Sequence, residues 1–186
     1  MTVDGPCRVL LIGMMGSGKS TIGRLLADAT GWPYADNDEL VLRAYGATPR
    51  TLLAEHGEAA MRRAESEAMG SGVALPPPAI VGVAAGVILD AADRETLRGG
   101  GIVVWLRASA GDLAARAAGA EHRPWLDGDP IAWMTGALLE REPLYASVAD
   151  HVIDTDSAAP PETAAGLAEL LLAETGCATA PRIIRR

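Results

Sequence analysis

The sequence predicts an α/β protein, a five-stranded parallel sheet with helices on both faces. Three observations carry this. Short apolar, β-prone runs alternate with helical patterns along the chain, and such alternation builds parallel sheets through right-handed crossovers. The first run, Arg8 to Ile12, leads through Gly13-Met14-Met15-Gly16-Ser17-Gly18-Lys19-Ser20 into a helical stretch. Strand, glycine loop and helix is the setting in which G-x-x-x-x-G-K-[ST] binds phosphate. Finally, 186 residues with 49% apolar and 22% charged suit one globular domain with a substantial core.

Strands are predicted at 8–12, 32–35, 79–84, 102–106 and 151–154. Helices are predicted at 18–29, 37–45, 48–56, 58–70, 90–98, 109–118, 130–142 and 161–175. The domain core then spans about 8–175, with loosely held ends at 1–6 and 176–186. Ligands should gather at the carboxyl ends of the strands.

The first such end is the glycine loop. Its glycines let successive N–H groups turn inward around phosphate oxygens, and the positive end of the following helix adds to the attraction. Lys19 can reach the β- and γ-phosphates, and the Ser20 hydroxyl can ligate Mg²⁺. The alternative, a glycine-rich turn with an exposed lysine, is disfavoured by the flanking strand and helix. Lys19 is also the only lysine among 16 basic residues, so a composition that disfavours lysine keeps one where phosphate chemistry uses it.

After the second strand comes Ala35-Asp36-Asn37-Asp38-Glu39. These side chains are good helix caps and first-turn residues. Next to a phosphate loop, Asp36 and Asp38 also suit a metal or a hydroxyl. Thr48-Pro49 opens the following helix as cap and first turn. In 58–70, Met61, Ala64 and Ala68 form a buried stripe, while the adjacent Arg62 and Arg63 point about 100° apart. By spacing alone Arg62 reads as an i,i+3 partner of Glu65.

The third strand ends in Gly82-Val83-Ala84-Ala85-Gly86, small residues that admit a ligand to the backbone or a helix to the sheet. It carries no Asp, which leaves Asp36 as the leading carboxylate on the magnesium side. The segment 119–130 breaks the helical pattern and reads as a mobile lid that delivers Arg123. Trp125 within it reads as a packing anchor, and His122 and His151 are isolated histidines without a catalytic partner. Arg141 ends a helical pattern, where it could interact with the last carbonyls.

A net charge of −8 and a pI near 4.8 argue against a nucleic-acid partner. An anionic ligand must be held by local arginines instead. Cys7 and Cys177 lie far apart in the sequence, without metal-ligand spacing, and suggest a reducing cytoplasm. No basic-then-apolar leader stands at the N-terminus, and the most apolar later stretch, Ala79 to Leu89, is too short to span a membrane.

Taken in order, several motifs resemble the shikimate kinases over roughly Arg8 to Glu174: Gly13 to Ala27, Asp36-x-Asp38, Met61-Arg62-Arg63-Ala64-Glu65, Arg123-Pro124-Trp125-Leu126 and Arg141-Glu142-Pro143-Leu144-Tyr145. The resemblance implies a three-layer P-loop kinase fold of the nucleoside-monophosphate-kinase type with a mobile lid. It implies transfer of the γ-phosphoryl of ATP to the 3-hydroxyl of shikimate, with Mg²⁺. By position, Gly16, Ser17, Gly18, Lys19, Ser20 and Thr21 would hold the phosphates, Ser20 and Asp36 the metal, and Asp38 the acceptor hydroxyl. Lys19, Asp38 and the lid's Arg123 would be catalytic. Arg62 and Arg141 would grip the acceptor's carboxylate beside Ala85 and Gly86, and Arg116 and Pro160 would flank the adenine. The partners implied are ATP and a small carboxylated polyol, with a monomer acting in the cytoplasm.

This chain departs from the family in reading Ala84-Ala85-Gly86 where the family has three glycines, and Leu53 and Met61 where an aromatic wall is common. If the turn needs φ > 0, each alanine would carry strain of about 1–3 kcal/mol. The departures leave two alternatives: a kinase of a different cyclitol or polyol carboxylate, or a nucleotide-binding relative with little activity.

Overall fold

The structure is a computed structural model and describes residues 7–118 and 128–175. Most of the expected lid, including His122, Arg123 and Trp125, and the C-terminal tail lie outside the described residues, as does the N-terminal segment 1–6.

Five strands form one parallel sheet in the order β2-β3-β1-β4-β5, with β1 (Arg8–Ile12) in the middle. It pairs on one side with β3 (Ala79–Gly82) and on the other with β4 (Ile102–Arg107). The edges are β2 (Tyr34–Asp36) and β5 (His151–Asp154).

The inner strands bury both faces, and successive residues feed different cores. Leu10, Ile12, Val81, Val83, Val103 and Trp105 face one side. There they meet Met69 of α4 (Glu58–Val73), Leu97 of α5 (Ala91–Gly100), Leu113 of α6 (Ala110–Ala117) and Met134 and Tyr145 of α7 (Pro130–Ala146). Val9, Leu11, Ile80, Val104 and Leu106 face the other, against α1 (Lys19–Thr30) and α8 (Pro160–Thr175). A smaller cluster of Val41, Leu52, Met61, Ala64 and Ala68 joins α4 to α2 (Asn37–Tyr45) and α3 (Pro49–His56).

The predicted elements are all present, and their boundaries differ for identifiable reasons. The second strand was expected at 32–35 but runs Tyr34–Asp36, because Pro33 has no N–H to give a neighbour. Its carbonyl still accepts from Ile80. The third strand ends at Gly82 rather than 84; Val83 N–H makes a last bond to Leu11, and the chain then turns into a short 3₁₀ segment, Val87–Leu89. Helix α4 continues past 70 to Val73, since Gly72 lets it lie directly on Val81; a Cβ there would sit 2.7 Å from Val81 Cγ1. Helix α7 runs through Pro143 to Ala146 instead of stopping near 142. The hydrogen bond that Pro143 cannot donate belongs to the turn of Leu139, which is exposed to water, while Tyr145 anchors the last turn by stacking on Trp105.

Cys7, read above as one of two widely spaced cysteines in a reducing setting, is disulfide-bonded. No helix among the described residues is long and apolar enough to cross a membrane.

The turn from α5 into β4 offers a direct check of the packing. A Cβ on Gly101 would stand 2.4 Å from the Arg8 carbonyl oxygen, a backbone atom of the central strand. Gly101→Ala is expected to destabilise the protein by about 1–3 kcal/mol, read as a lower urea midpoint with an unchanged slope.

Candidate active site

The glycine loop lies at the carboxyl end of the middle strand. Gly13, Gly16 and Gly18 have φ of 143°, 79° and 93°, values open to glycine. Space is equally limiting, because a Cβ on Gly13 would stand 2.5 Å from the Leu106 carbonyl oxygen and one on Gly16 2.9 Å from that of Leu113. Lys19 Nζ donates to the carbonyls of Gly13 and Met14, both at 2.9 Å, which holds the loop in its curve. Ser17 is fully buried under the loop, and Thr21 is exposed on the first turn of α1.

The start of α1 differs from most other helices here. Side chains of Asp36, Thr48, Asp90, Ser109 and Asp129 cap α2, α3, α5, α6 and α7. Helix α1 begins at Gly18 with no side-chain cap and no acidic residue in its first turn. Its N–H groups and positive dipole end are therefore presented to an anion.

Asp36 joins this helix to the next. Its Oδ1 accepts from the Asp38 N–H at 3.1 Å and so caps α2, while its Oδ2 accepts from Ser20 Oγ at 2.7 Å. Tyr34 Oη donates to the same Oδ2 at 2.8 Å. Burial pushes the Tyr34 phenol upward and the Asp36 charge adds to this, so Tyr34 stays a donor. Asp38, in the first turn of α2, is exposed. Asn37 is buried and ties α2 to α4 through Nδ2 to the Glu65 carbonyl at 3.2 Å.

Arg62 and Arg141 approach the same region from different helices. Arg62 makes the pair its spacing suggested, Nη1 to Glu65 Oε2 at 2.8 Å, and a second to Glu58 Oε1 at 3.2 Å. Its guanidinium also lies against Gly86, where a Cβ would fall 1.7 Å from Nη1. Arg141 is 8% exposed and sits within α7, short of the helix end and its last carbonyls. Its Nη1 contacts Met14 Sδ at 3.8 Å, its Nε has no partner, and no carboxylate among the described residues pairs with it. Tyr145, one turn on, donates to the Ala85 carbonyl at 3.1 Å and approaches the same sulfur at 3.8 Å. Burial pushes the Tyr145 phenol up, and Arg141 and Arg62 oppose that shift. Gly86, Arg62, Tyr145, Arg141 and the phosphate loop's Met14 thus form one connected group.

The alanines do not strain the turn. Among the described residues no non-glycine has positive φ, and Gly86 itself has φ −82°. The expected cost at Ala84 and Ala85 is absent, since the turn here is built without left-handed backbone. Glycine at 86 is a matter of room for Arg62.

On the other side of the loop, Arg116 binds the Thr155 carbonyl at 2.9 Å and Asp156 at 3.6 Å. It thereby anchors the segment that leads to Pro160 at the start of α8. His151 pairs with Glu174 at 2.6 Å on β5 and belongs to the sheet edge.

The sequence alone assigned no individual role to Tyr34, Met14 or Tyr145. Two signals were available: Tyr34 is two residues from Asp36 on one strand face, and Tyr145 is four from Arg141 on one helix face.

A phosphate loop on the middle strand of a parallel sheet, with helices on both sides, is the P-loop kinase fold. With a carboxylate and arginines beside the loop, the chain falls among the phosphotransferases that act on an alcohol. Comparison with known proteins narrows the class. The family model described as shikimate kinase matches residues 15–172. A shikimate kinase of Nitratidesulfovibrio vulgaris is 42% identical over 155 residues, covering 81% of this chain and 88% of that one. One from Oleidesulfovibrio alaskensis is 39% identical over 173 residues, covering 91% and 99%. Among solved structures, the shikimate kinase of Acinetobacter baumannii in complex with shikimate superposes with a TM-score of 0.85 at 30% identity, covering 92% of this chain and 95% of that one. The chain belongs to the shikimate kinase family.

Arg141, without a carboxylate among the described residues, predicts a separation of stability from binding. Replacing buried ion pairs by apolar side chains of similar volume is often neutral or stabilising by about 1–4 kcal/mol, and a buried charge without a carboxylate has less attraction to lose. Arg141→Met is expected to unfold at the same or a higher urea concentration than the parent protein. A clear loss of stability would mean that the guanidinium already has a compensating partner.

Proposed function

We propose that this protein transfers the γ-phosphoryl group of ATP to the 3-hydroxyl of shikimate, yielding shikimate 3-phosphate and ADP. The observation that carries this is the contact between Arg141 and Met14: a buried guanidinium, without a carboxylate among the described residues, touches the loop that suits a triphosphate. The two anions of the reaction then have neighbouring seats, as direct transfer requires.

In this reading the N–H groups of Gly16 to Thr21 hold the phosphates and Lys19 leaves its loop carbonyls for the β- and γ-oxygens. Arg116 and the segment before Pro160 flank the adenine. Arg62 and Arg141 receive the acceptor's carboxylate, which gives Arg141 the counter-charge that no described residue supplies, with Ala85 and Gly86 as the adjoining wall. Asp38 orients the acceptor hydroxyl and takes its proton as the new O–P bond forms and the bond from the γ-phosphorus to the β–γ bridging oxygen breaks. Arg123 is assigned to the transferring charge, on a lid of about 119–130 within a single domain of core 8–175 and tail 176–186.

Mg²⁺ fits the donor set. Ser20 Oγ and the Asp36 carboxylate are hard oxygen donors in mutual contact, and no cluster of three His, Cys, Asp or Glu exists among the described residues. A cation would therefore draw most ligands from phosphates and water, the habit of Mg²⁺. When bound with the nucleotide it neutralises charge on the β- and γ-phosphates. We further propose a monomer working in the cytoplasm, where ATP is supplied.

Coupled ADP-release assays with shikimate and a panel of other carboxylated polyols test the assignment. Saturable turnover with shikimate is expected, and turnover on another member of the panel alone would overturn it. Within that assay Arg62→Ala should cost about 2 kcal/mol in acceptor KM with little change for ATP. Lys19→Ala and Asp38→Ala should lower kcat in folded protein. Equal effects of Arg62→Ala on both KM values would count against the carboxylate role.

A further inference from the structure

Asp36 carries more bonds than a helix cap needs. An ionised carboxylate offers about four lone-pair sites. Three are used here, by the Asp38 N–H at 3.1 Å, Ser20 Oγ at 2.7 Å and Tyr34 Oη at 2.8 Å. The hydroxyls of Ser20 and Tyr34 converge on one oxygen, which fixes the plane of the carboxylate as well as its rotamer.

The phenol reaches this place through a notch cut for it. A Cβ on Gly23 of α1 would lie 2.3 Å from Tyr34 Cε2, and a Cβ on Gly82 of β3 would lie 2.3 Å from Tyr34 Oη. Two elements distant in sequence thus both carry glycine where the ring passes. Arg24 covers the ring, 5.8 Å from its centroid, and is itself held by Glu39 at 3.1 Å. A phenylalanine would fill the notch equally well, so packing alone does not require the hydroxyl.

We propose that Tyr34 is a positioning residue: by donating to Asp36 Oδ2 it holds the carboxylate where Ser20 must turn its proton inward and its lone pairs outward, toward the cation that accompanies the nucleotide. The inference rests on the nucleotide and Mg²⁺ reading above. Without the phenol, Asp36 has one fixed bond fewer, and the Ser20 hydroxyl loses its single preferred orientation.

Calorimetric titration with ADP, in Mg²⁺ and again in chelator, tests this on the intact protein and Tyr34→Phe. The wild type should bind ADP more tightly with Mg²⁺. In Tyr34→Phe that gain should shrink by roughly tenfold, the scale of one hydrogen bond to a charged group, while ADP affinity in chelator and the melting temperature stay as they were. In an Asp36→Asn background, Tyr34→Phe should have little further effect. An undiminished Mg²⁺ gain in Tyr34→Phe, or an equal loss in both backgrounds, would overturn the inference. If Tyr34→Phe does not fold, Gly82→Ala, which drives a methyl against the hydroxyl, serves in the same titrations with the same expected and contrary results. A wild type that shows no Mg²⁺ gain at all would instead overturn the nucleotide reading on which the inference stands.

Discussion

A guanidinium inside a protein, with no carboxylate beside it among the described residues, is the constraint on which the rest of this site depends. Arg141 is buried in α7, touches a thioether and leaves its Nε without a partner. A sulfur is a weak acceptor, so the arrangement is costly on its own. A ligand carboxylate would offset that cost. The surroundings suit that: Tyr145 fixes the adjoining backbone through the Ala85 carbonyl, and Gly86 leaves room for the second guanidinium at Arg62. Arg62 differs in kind. It already has Glu65 and Glu58, so it is oriented by its own helix and contributes charge without a comparable burden.

The other half of the site is organised around a carboxylate. Asp36 stands where β2 passes directly into α2, and its two oxygens do separate work. One starts the helix that carries Asp38; the other meets Ser20 on the phosphate loop. Any displacement of the loop is thereby felt by the first turn of α2. Because β2 and β3 are neighbours in register, with Asp36 opposite Gly82, the same linkage reaches the strand that leads into the Ala85–Gly86 turn. Loop, acidic turn and arginine pair are connected by short-range contacts, without need of a general positive field in a chain of net charge −8.

Much of this was legible in the sequence because the physics involved is local. The phosphate loop declares itself through glycine spacing, and the strands through unbroken apolar runs that only a doubly covered sheet can bury. The misplaced boundaries are those where a distant partner overrides local preference: Val81 extends α4 past Gly70, and Trp105 carries α7 through Pro143. The alanines at 84 and 85 looked strained because their backbone angles were inferred from glycine elsewhere; the turn is made with negative φ. Tyr34 was missed because a tyrosine near a strand end reads as packing. Its meaning comes from Gly23 and Gly82, which only the fold brings to it. The Arg62–Glu65 pair was visible in the spacing, whereas the lack of a carboxylate at Arg141 among the described residues became visible only once α7 was laid against the loop.

The central claim is that the arginine pair receives a carboxylate. Calorimetric titration of the wild-type protein with shikimate and with its methyl ester isolates that charge while keeping the ring and its hydroxyls. The account predicts measurable binding of shikimate and binding of the ester weaker by at least about thirtyfold, the loss of roughly 2 kcal/mol expected when a buried charge is left without its partner. Equal affinity for acid and ester would contradict it.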